Sequence, residues 1–130
     1  MNRILFAIIG LYLATACSSI DKSVPISHID VEHRGKHNTQ REHMAAVCKG
    51  FFMSAEKVKK FYDHAALIRD KGKNKTYEML PCYATGSAYI YGEKYTWIIR
   101  AGGIGEFFND KNRFTKICGK KCCNKVKNIC

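Results

Sequence analysis

The chain has 130 residues, with 22 Lys and Arg against 11 Asp and Glu, and a net charge of +11. This length supports one small hydrophobic core and excludes two independent domains. The positive charge also argues against inhibition of a basic enzyme such as lysozyme, because two cationic surfaces repel each other.

The amino terminus has the pattern of a secretory signal. Arg3 precedes an apolar run from Ile4 to Leu13, which is too short to span a bilayer, and small residues lead to Cys17. We predict a signal peptide over residues 1–16. The segment resembles a bacterial lipoprotein precursor, which implies that the Cys17 thiol receives a diacylglycerol. Because Asp is absent from position 18, the resemblance also implies an outer-membrane anchor facing the periplasm.

Ordinary secretion is the alternative, because Ala14-Thr15-Ala16 also fits a standard cleavage site and Ala14 stands where lipoprotein signals prefer Leu. The number of cysteines favours the lipoprotein. Reserving Cys17 for lipid leaves an even set that can pair in an oxidising compartment. The expected disulfide cysteines are Cys48, Cys82, Cys118, Cys122, Cys123 and Cys130.

Residues 17–38 have little periodicity and contain three histidines, so we predict a lipid-anchored tether. A metal site at these histidines is disfavoured, because Arg34-Gly35-Lys36 places two positive charges beside any bound cation. The folded part is then predicted to be one domain over residues 39–130, ending in a basic, cysteine-rich tail.

Two short amphipathic helices are predicted next. Thr39 and Glu42 match the S/T-x-x-E capping box, and the apolar residues that follow recur at helical spacing. Ser54 is a second predicted N-cap, for a helix that continues through Ile68 towards a stop at Gly72.

The period changes to two after this helix, which predicts strands. Cys82 to Tyr91 alternates, Gly92-Glu93 suits a tight turn, and Tyr95 to Ile99 returns. Two more short strands follow, over Ile104 to Phe108 and Arg113 to Cys118. The predicted fold class is therefore α+β: two N-terminal helices packed on a four-stranded antiparallel meander that disulfides staple.

Part of this region resembles a group of small uncharacterised bacterial exported proteins. The resemblance rests on Pro81-Cys82-Tyr83 and on the Trp-x-Ile-Arg-Ala-Gly-Gly segment that begins at Trp97, and it extends over about Cys48 to Cys122. It implies a shared domain and no particular activity.

The clearest candidate site surrounds Arg100. A nest of glycine N–H groups and the Arg100 guanidinium would together bind a carboxylate or phosphate. The predicted anion-binding residues are Arg100, Gly102, Gly103 and Gly105. A purely structural turn is the alternative. A phosphate-binding P-loop is excluded, because no Gly-Lys-Ser/Thr sequence follows.

The tail is strongly basic, with seven Lys and Arg and no acidic residue from Lys111 to Cys130. Its central lysines are Lys120, Lys121, Lys125 and Lys127. We expect its partners to be anionic envelope components or an acidic protein surface rather than nucleic acid, although a solubilising surface is an open alternative. The clustered tail cysteines are expected to form disulfides, not a metal site, because the compartment is oxidising.

No residue pattern predicts catalysis, a metal or a cofactor. Cys48 and the histidines at positions 43 and 64 allow a Cys-His dyad, but an exported Cys48 is expected to be half of a bridge. We therefore interpret the chain as an envelope lipoprotein that acts as a binding module and is not an enzyme. Protection against a toxin and binding of an anionic ligand are both open; a structural envelope component is the alternative.

Overall fold

The computed structural model describes residues 25–68 and 80–130. The predicted signal peptide, Cys17 and the predicted helix stop at Gly72 lie outside the described residues. The strands are β1 Ile26–His37, β2 Ala66–Ile68, β3 Cys82–Ile90, β4 Glu93–Arg100, β5 Ile104–Phe108 and β6 Arg113–Ile117. The helices are α1 Glu42–Cys48, α2 Ala55–His64 and α3 Lys120–Lys125. The predicted α+β class is confirmed.

The described strands form one antiparallel sheet in the order β1-β3-β4-β5-β6-β2. Its centre is the predicted meander of β3 to β6, whose neighbouring strands follow one another in the chain. The predicted four-strand sheet is too small, because β1 and β2 add one strand at each edge. Each edge strand pairs with a strand distant in sequence, which local periodicity cannot reveal.

The second half of the predicted tether is strand β1. It pairs with β3 from Ile26 opposite Ile90 to His37 opposite Cys82, with three register shifts along the way. These shifts and the exposed polar side chains hide the alternation that identifies a strand. The folded domain therefore includes Ile26–His37, which the prediction had assigned to the tether.

The predicted capping box at α1 is wrong. This helix begins at Glu42 with Arg41 at the N-cap, and no side chain caps it. The Thr39 hydroxyl instead accepts from the Arg41 N–H in the preceding turn, at 3.2 Å. Glu42 is consequently in the first helical turn rather than reaching back to Thr39.

The predicted cap of α2 is confirmed, since the Ser54 hydroxyl accepts from the Lys57 N–H at 3.1 Å. The predicted length is wrong, because the helix ends at His64 and residues 66–68 become β2. Pairing with β6 satisfies backbone groups of this segment that a longer helix would have satisfied internally.

The core lies between one face of the sheet and α2. Its largest fully buried side chains are Trp97, Phe61, Phe107, Met53 and Ile99. The Trp97 indole N–H donates to the Ser87 carbonyl at 3.0 Å, so the buried ring has no unsatisfied donor. Within residues 25–68 and 80–130, no helix has the length and hydrophobicity needed to cross a bilayer.

Candidate functional site

All six predicted cysteines form disulfides. The pairs are Cys48–Cys82, Cys118–Cys122 and Cys123–Cys130. The first pair joins the end of α1 to the start of β3. The adjacent residues Cys122 and Cys123 take different partners, as expected from the strain of a bridge between neighbours.

The last two bridges shape the C-terminal cap, which we define as Cys118–Cys130. The cap contains α3, a third helix that the sequence did not predict. A six-residue helix is too short to be stable alone. Two buried apolar side chains, Val126 and Ile129, and the two bridges hold it against the core.

The sulfur atoms of the cap are close together. The Sγ atoms of Cys118, Cys123 and Cys130 all lie within 4.8 Å of one another. In this structure the same atoms belong to the two disulfides, so a metal would have to replace covalent bonds. The cluster is therefore a structural staple in the oxidised chain.

The glycine turn before β5 has no free N–H groups to offer an anion. The N–H of Gly102 donates to the Ile129 carbonyl at 2.8 Å, and the N–H of Gly103 donates to the Arg100 carbonyl at 3.2 Å. Both glycines have positive φ, which the turn requires. These bonds favour the alternative of a purely structural turn. They also show that this turn contacts the C-terminal cap.

Gly105 is a packing residue. It lies within β5, paired on one side with β4 and on the other with β6. A Cβ atom there would lie 2.4 Å from the Phe61 ring, so glycine permits the close approach of α2 to the sheet. The residue takes no part in an exposed anion nest.

The last of the four predicted anion-binding residues, Arg100, lies on the face of the sheet opposite to α2. Its guanidinium carbon lies 5.3 Å from the centre of the Tyr83 ring, a cation–π distance. The buried Nε atom has no hydrogen-bond partner within the described residues. The Arg100 guanidinium is thus half-buried against a ring. The N–H groups of the two turn glycines donate to backbone carbonyls instead of pointing with it to a common site.

The cap presents the predicted lysines to solvent. All four are exposed, and none belongs to an ion pair within the described part of the chain: Lys120, Lys121, Lys125 and Lys127. The ion pairs found there lie on α2 and between β5 and β6. With no acidic residue in the cap, these lysines form a single-sign cationic surface.

Lys116 also belongs to the basic tail, but it contacts the interior of the protein, which the sequence did not predict. It is buried on β6, and its ammonium donates to the Tyr62 carbonyl near the end of α2. It also lies 3.9 Å from the centre of the Tyr62 ring. The contact places a positive charge at the negative end of a helix. Lys116 therefore attaches α2 to β6 and is not available to an external partner.

This environment shifts two pKa values. Burial lowers the pKa of the Lys116 ammonium, and the Asp63 carboxylate partly opposes that change. Burial is also the main cause that raises the pKa of the Tyr62 phenol to about 12. Both groups therefore favour their neutral forms more than they would in water.

The possible Cys-His dyad is not formed. Cys48 is buried in its bridge to Cys82 and has no free thiol, while His43 and His64 are exposed. The absence of enzyme activity stays a prediction, because this geometry removes only one candidate.

At the end of the sheet away from the C-terminal cap, a shallow groove of about 260 Å³ lies between the β3–β4 and β5–β6 turns. Its lining residues have mixed charge: Glu93, Lys94, Asn109, Asp110 and Lys111. The Asn109 side chain holds this end together by accepting from the backbone N–H groups of Lys111 and Asn112, and by donating to Glu93. The groove thus carries charges of both signs, whereas the charged side chains of the cap are all cationic.

No protein family, curated protein or solved structure matches the chain. The resemblance to small exported proteins and the lipoprotein signal therefore stay predictions, and functional inference depends on the chain's own geometry.

Proposed function

We propose that the chain is a lipid-anchored envelope protein whose C-terminal cap binds anionic, phosphate-bearing envelope material. The observation that carries this proposal is the set of four exposed cap lysines on a disulfide-held scaffold without acidic residues. The disulfides are consistent with an oxidising compartment, and the lipoprotein-like signal supplies the membrane anchor on Cys17.

The expected affinity of the cap alone is low. A lysine near an anionic surface contributes about 1 kcal/mol, so four contribute about 4 kcal/mol, which corresponds to a dissociation constant of about 1 mM. A lipid anchor compensates for this weakness by confining the protein to the envelope, where the local concentration of anionic groups is high. The two parts of the proposal therefore depend on each other physically.

The anchor is tested by metabolic labelling with a palmitate analogue. We expect the wild-type protein to be labelled and the Cys17→Ala variant to be unlabelled, because the other cysteines are held in disulfides. Equal labelling of both proteins would contradict lipidation at Cys17, and absence of label from both would support the soluble, secreted alternative.

The cap is tested with a lipid-free chain carrying Cys17→Ser and vesicles made of equal parts phosphatidylglycerol and phosphatidylcholine. Binding should be strong at about 10 mM salt and weak at about 150 mM, where the Debye length falls from about 30 Å to about 8 Å. Changing the four cap lysines to Gln should weaken low-salt binding by at least about tenfold.

The matched control removes the same charge elsewhere. It changes four exposed lysines outside the cap to Gln: Lys36, Lys49, Lys94 and Lys111. This control and Arg100→Gln should retain most of the binding. Equal losses from both lysine sets would show that net charge alone acts. Loss from Arg100→Gln alone would instead assign binding to the Arg100 face, and absence of any vesicle binding would favour the structural-component alternative.

A further inference from the structure

The point where the tether joins the domain and the cationic cap lie at opposite ends of the sheet. The first described strand begins at Ile26, which pairs with Ile90, itself opposite Glu93 at the start of β4. The cap contacts the other end, where the Gly102 N–H donates to Ile129 just beyond Arg100. The eight-residue β4 connects these ends, and at about 3.3 Å per residue it separates them by about 23 Å.

The end where the tether joins carries exposed aromatic side chains. Tyr91 is 78% exposed and Tyr89 is 40% exposed; Tyr91 lies in the β3–β4 turn near the start of β1, and Tyr89 lies two residues before it. Tyrosine is enriched where proteins meet the membrane interface, because its ring is apolar and its hydroxyl is polar. We name Tyr89 and Tyr91 the aromatic tip.

Tyr91 occupies a position that its side chain disfavours. It has a φ of 54° and precedes Gly92, also at positive φ, as in a two-residue type I′ turn. Asn or Asp is the preferred residue at this position, and a bulky aromatic there is strained. A strained, solvent-exposed ring is more readily explained by a contact outside the fold than by stability.

We infer that the aromatic tip rests on the bilayer that anchors the chain and that the cationic cap faces an anionic surface in trans. This inference rests on the proposed function. Only eight residues lie between Cys17 and Ile26, and the nine Cα–Cα steps this makes hold the end of the domain next to the tip within about 30 Å of the lipid. When the aromatic tip rests on the bilayer, the cap lies about three Debye lengths from that membrane at physiological salt.

Orientation is tested by tryptophan quenching. The chain beginning at Cys17 is coupled through that thiol to a maleimide lipid in vesicles of phosphatidylglycerol and bromine-labelled phosphatidylcholine. Tyr91→Trp or Tyr89→Trp reports on the tip, and Asn124→Trp reports on an exposed position of the cap without removing a lysine. Trp97 is buried and gives the common background, measured with the wild-type chain.

We expect the bromine label to quench the tip tryptophans by at least about twofold more than the cap tryptophan. Either tip variant gives this readout, so one remains if the other fails to fold. Stronger or equal quenching at Asn124→Trp would show that the cap lies on its own bilayer, and the inference would be wrong even if the lipid-free chain binds anionic vesicles.

The trans contact is tested with a second vesicle population. Chains coupled to pure phosphatidylcholine vesicles should recruit phosphatidylglycerol vesicles, and the four cap Lys→Gln changes should abolish recruitment, whereas the matched Lys→Gln control should not. Failed recruitment by an otherwise binding chain contradicts the trans orientation. Failure of the lipid-free chain to bind in the first place contradicts the proposed function instead.

Discussion

The two ends of the sheet acquire their structure in different ways. At the aromatic tip, the turns arise from neighbouring residues: Tyr91-Gly92 closes β3 onto β4, and Asn109 binds the backbone of its own loop. At the cap, a short helix is held by two disulfides and by a hydrogen bond from Gly102 to Ile129. Local turns tolerate changes in distant residues. The two disulfides of the cap are also local, but its position on the sheet depends on the contact between Ile129 and the distant Gly102.

The disulfides should show the largest effects on stability and should rank by the loop that each closes. Removing Cys48–Cys82, which spans 34 positions, should lower the free energy of unfolding by about 4 kcal/mol. Removing Cys123–Cys130, which spans seven, should lower it by about 2.5 kcal/mol. Urea unfolding of the two double Cys→Ala variants measures both values, and a larger loss for the cap bridge would contradict this ranking.

The next largest effect on stability should come from a glycine in the sheet, while a glycine in the cap should have little effect. An added Cβ at Gly86 would lie 1.9 Å from the Asp30 carbonyl and 2.5 Å from the Trp97 ring, so Gly86→Ala should destabilise the chain by about 3 kcal/mol. Gly119, beside the cap helix, has open space around its Cβ position. Gly119→Ala should therefore change stability by less than about 0.5 kcal/mol in the same urea experiment. Similar losses at both sites would contradict the packing described for β1 and β3.

Lys116 joins β6 to α2, and its removal should have a moderate effect. Lys116→Met leaves the Tyr62 carbonyl without this donor and should lower the free energy of unfolding by about 1 kcal/mol at neutral pH. Lys111→Met, at an exposed position, is the control and should be nearly neutral.

The same contact predicts a dependence on pH. The folded chain binds fewer protons at Lys116 than the unfolded chain just below pH 10.5, so stability should rise there with pH. Tyr62 has a raised pKa of about 12, so the folded chain holds its proton between pH 10 and 12 and stability should then fall. Burial also lowers the pKa of Lys57, which adds to the same rise. In Cys17→Ser chains, Lys116→Met should therefore reduce the rise and keep the fall. An unchanged rise would assign it to another group.

The aromatic tip should show the smallest effect on stability, and in the opposite direction. Tyr91→Asn replaces a strained residue with one that favours positive φ and should raise the free energy of unfolding by about 0.5 kcal/mol. Thermal unfolding measures this shift, with Tyr89→Asn at an ordinary strand position as the comparison. A loss of stability at Tyr91→Asn would show that the ring contributes to the fold itself.

Sequence patterns were sufficient where structure depends on neighbouring residues. The Ser54 cap and the turn at Asn109 follow from residue types at fixed short spacing. The β3–β4 hairpin was also predicted, but its two turn residues are Tyr91 and Gly92, one position before the predicted Gly92-Glu93. The four exposed cap lysines could also be identified, because an uninterrupted basic stretch in a small domain has little acidic surface to pair with.

Patterns failed where the partner is distant in the chain. β1 has few apolar residues and an irregular register, and its strand conformation depends on the free edge of β3. The end of α2 depends on β6, which recruits residues 66–68 as an edge strand. Lysine is usually a surface residue, but Lys116 is buried because its ammonium donates to a carbonyl near the end of α2.

The sequence by itself determined the α+β class, the central meander, the pairing of all six cysteines as a set and the basic character of the tail, because these depend on composition and short-range periodicity. Only the tertiary structure decided which cysteines pair and that the N–H groups of Gly102 and Gly103 bind the backbone rather than an anion. It also decided that the cap and the aromatic tip lie at opposite ends of the sheet, because strand order and register bring together residues that are far apart in the chain.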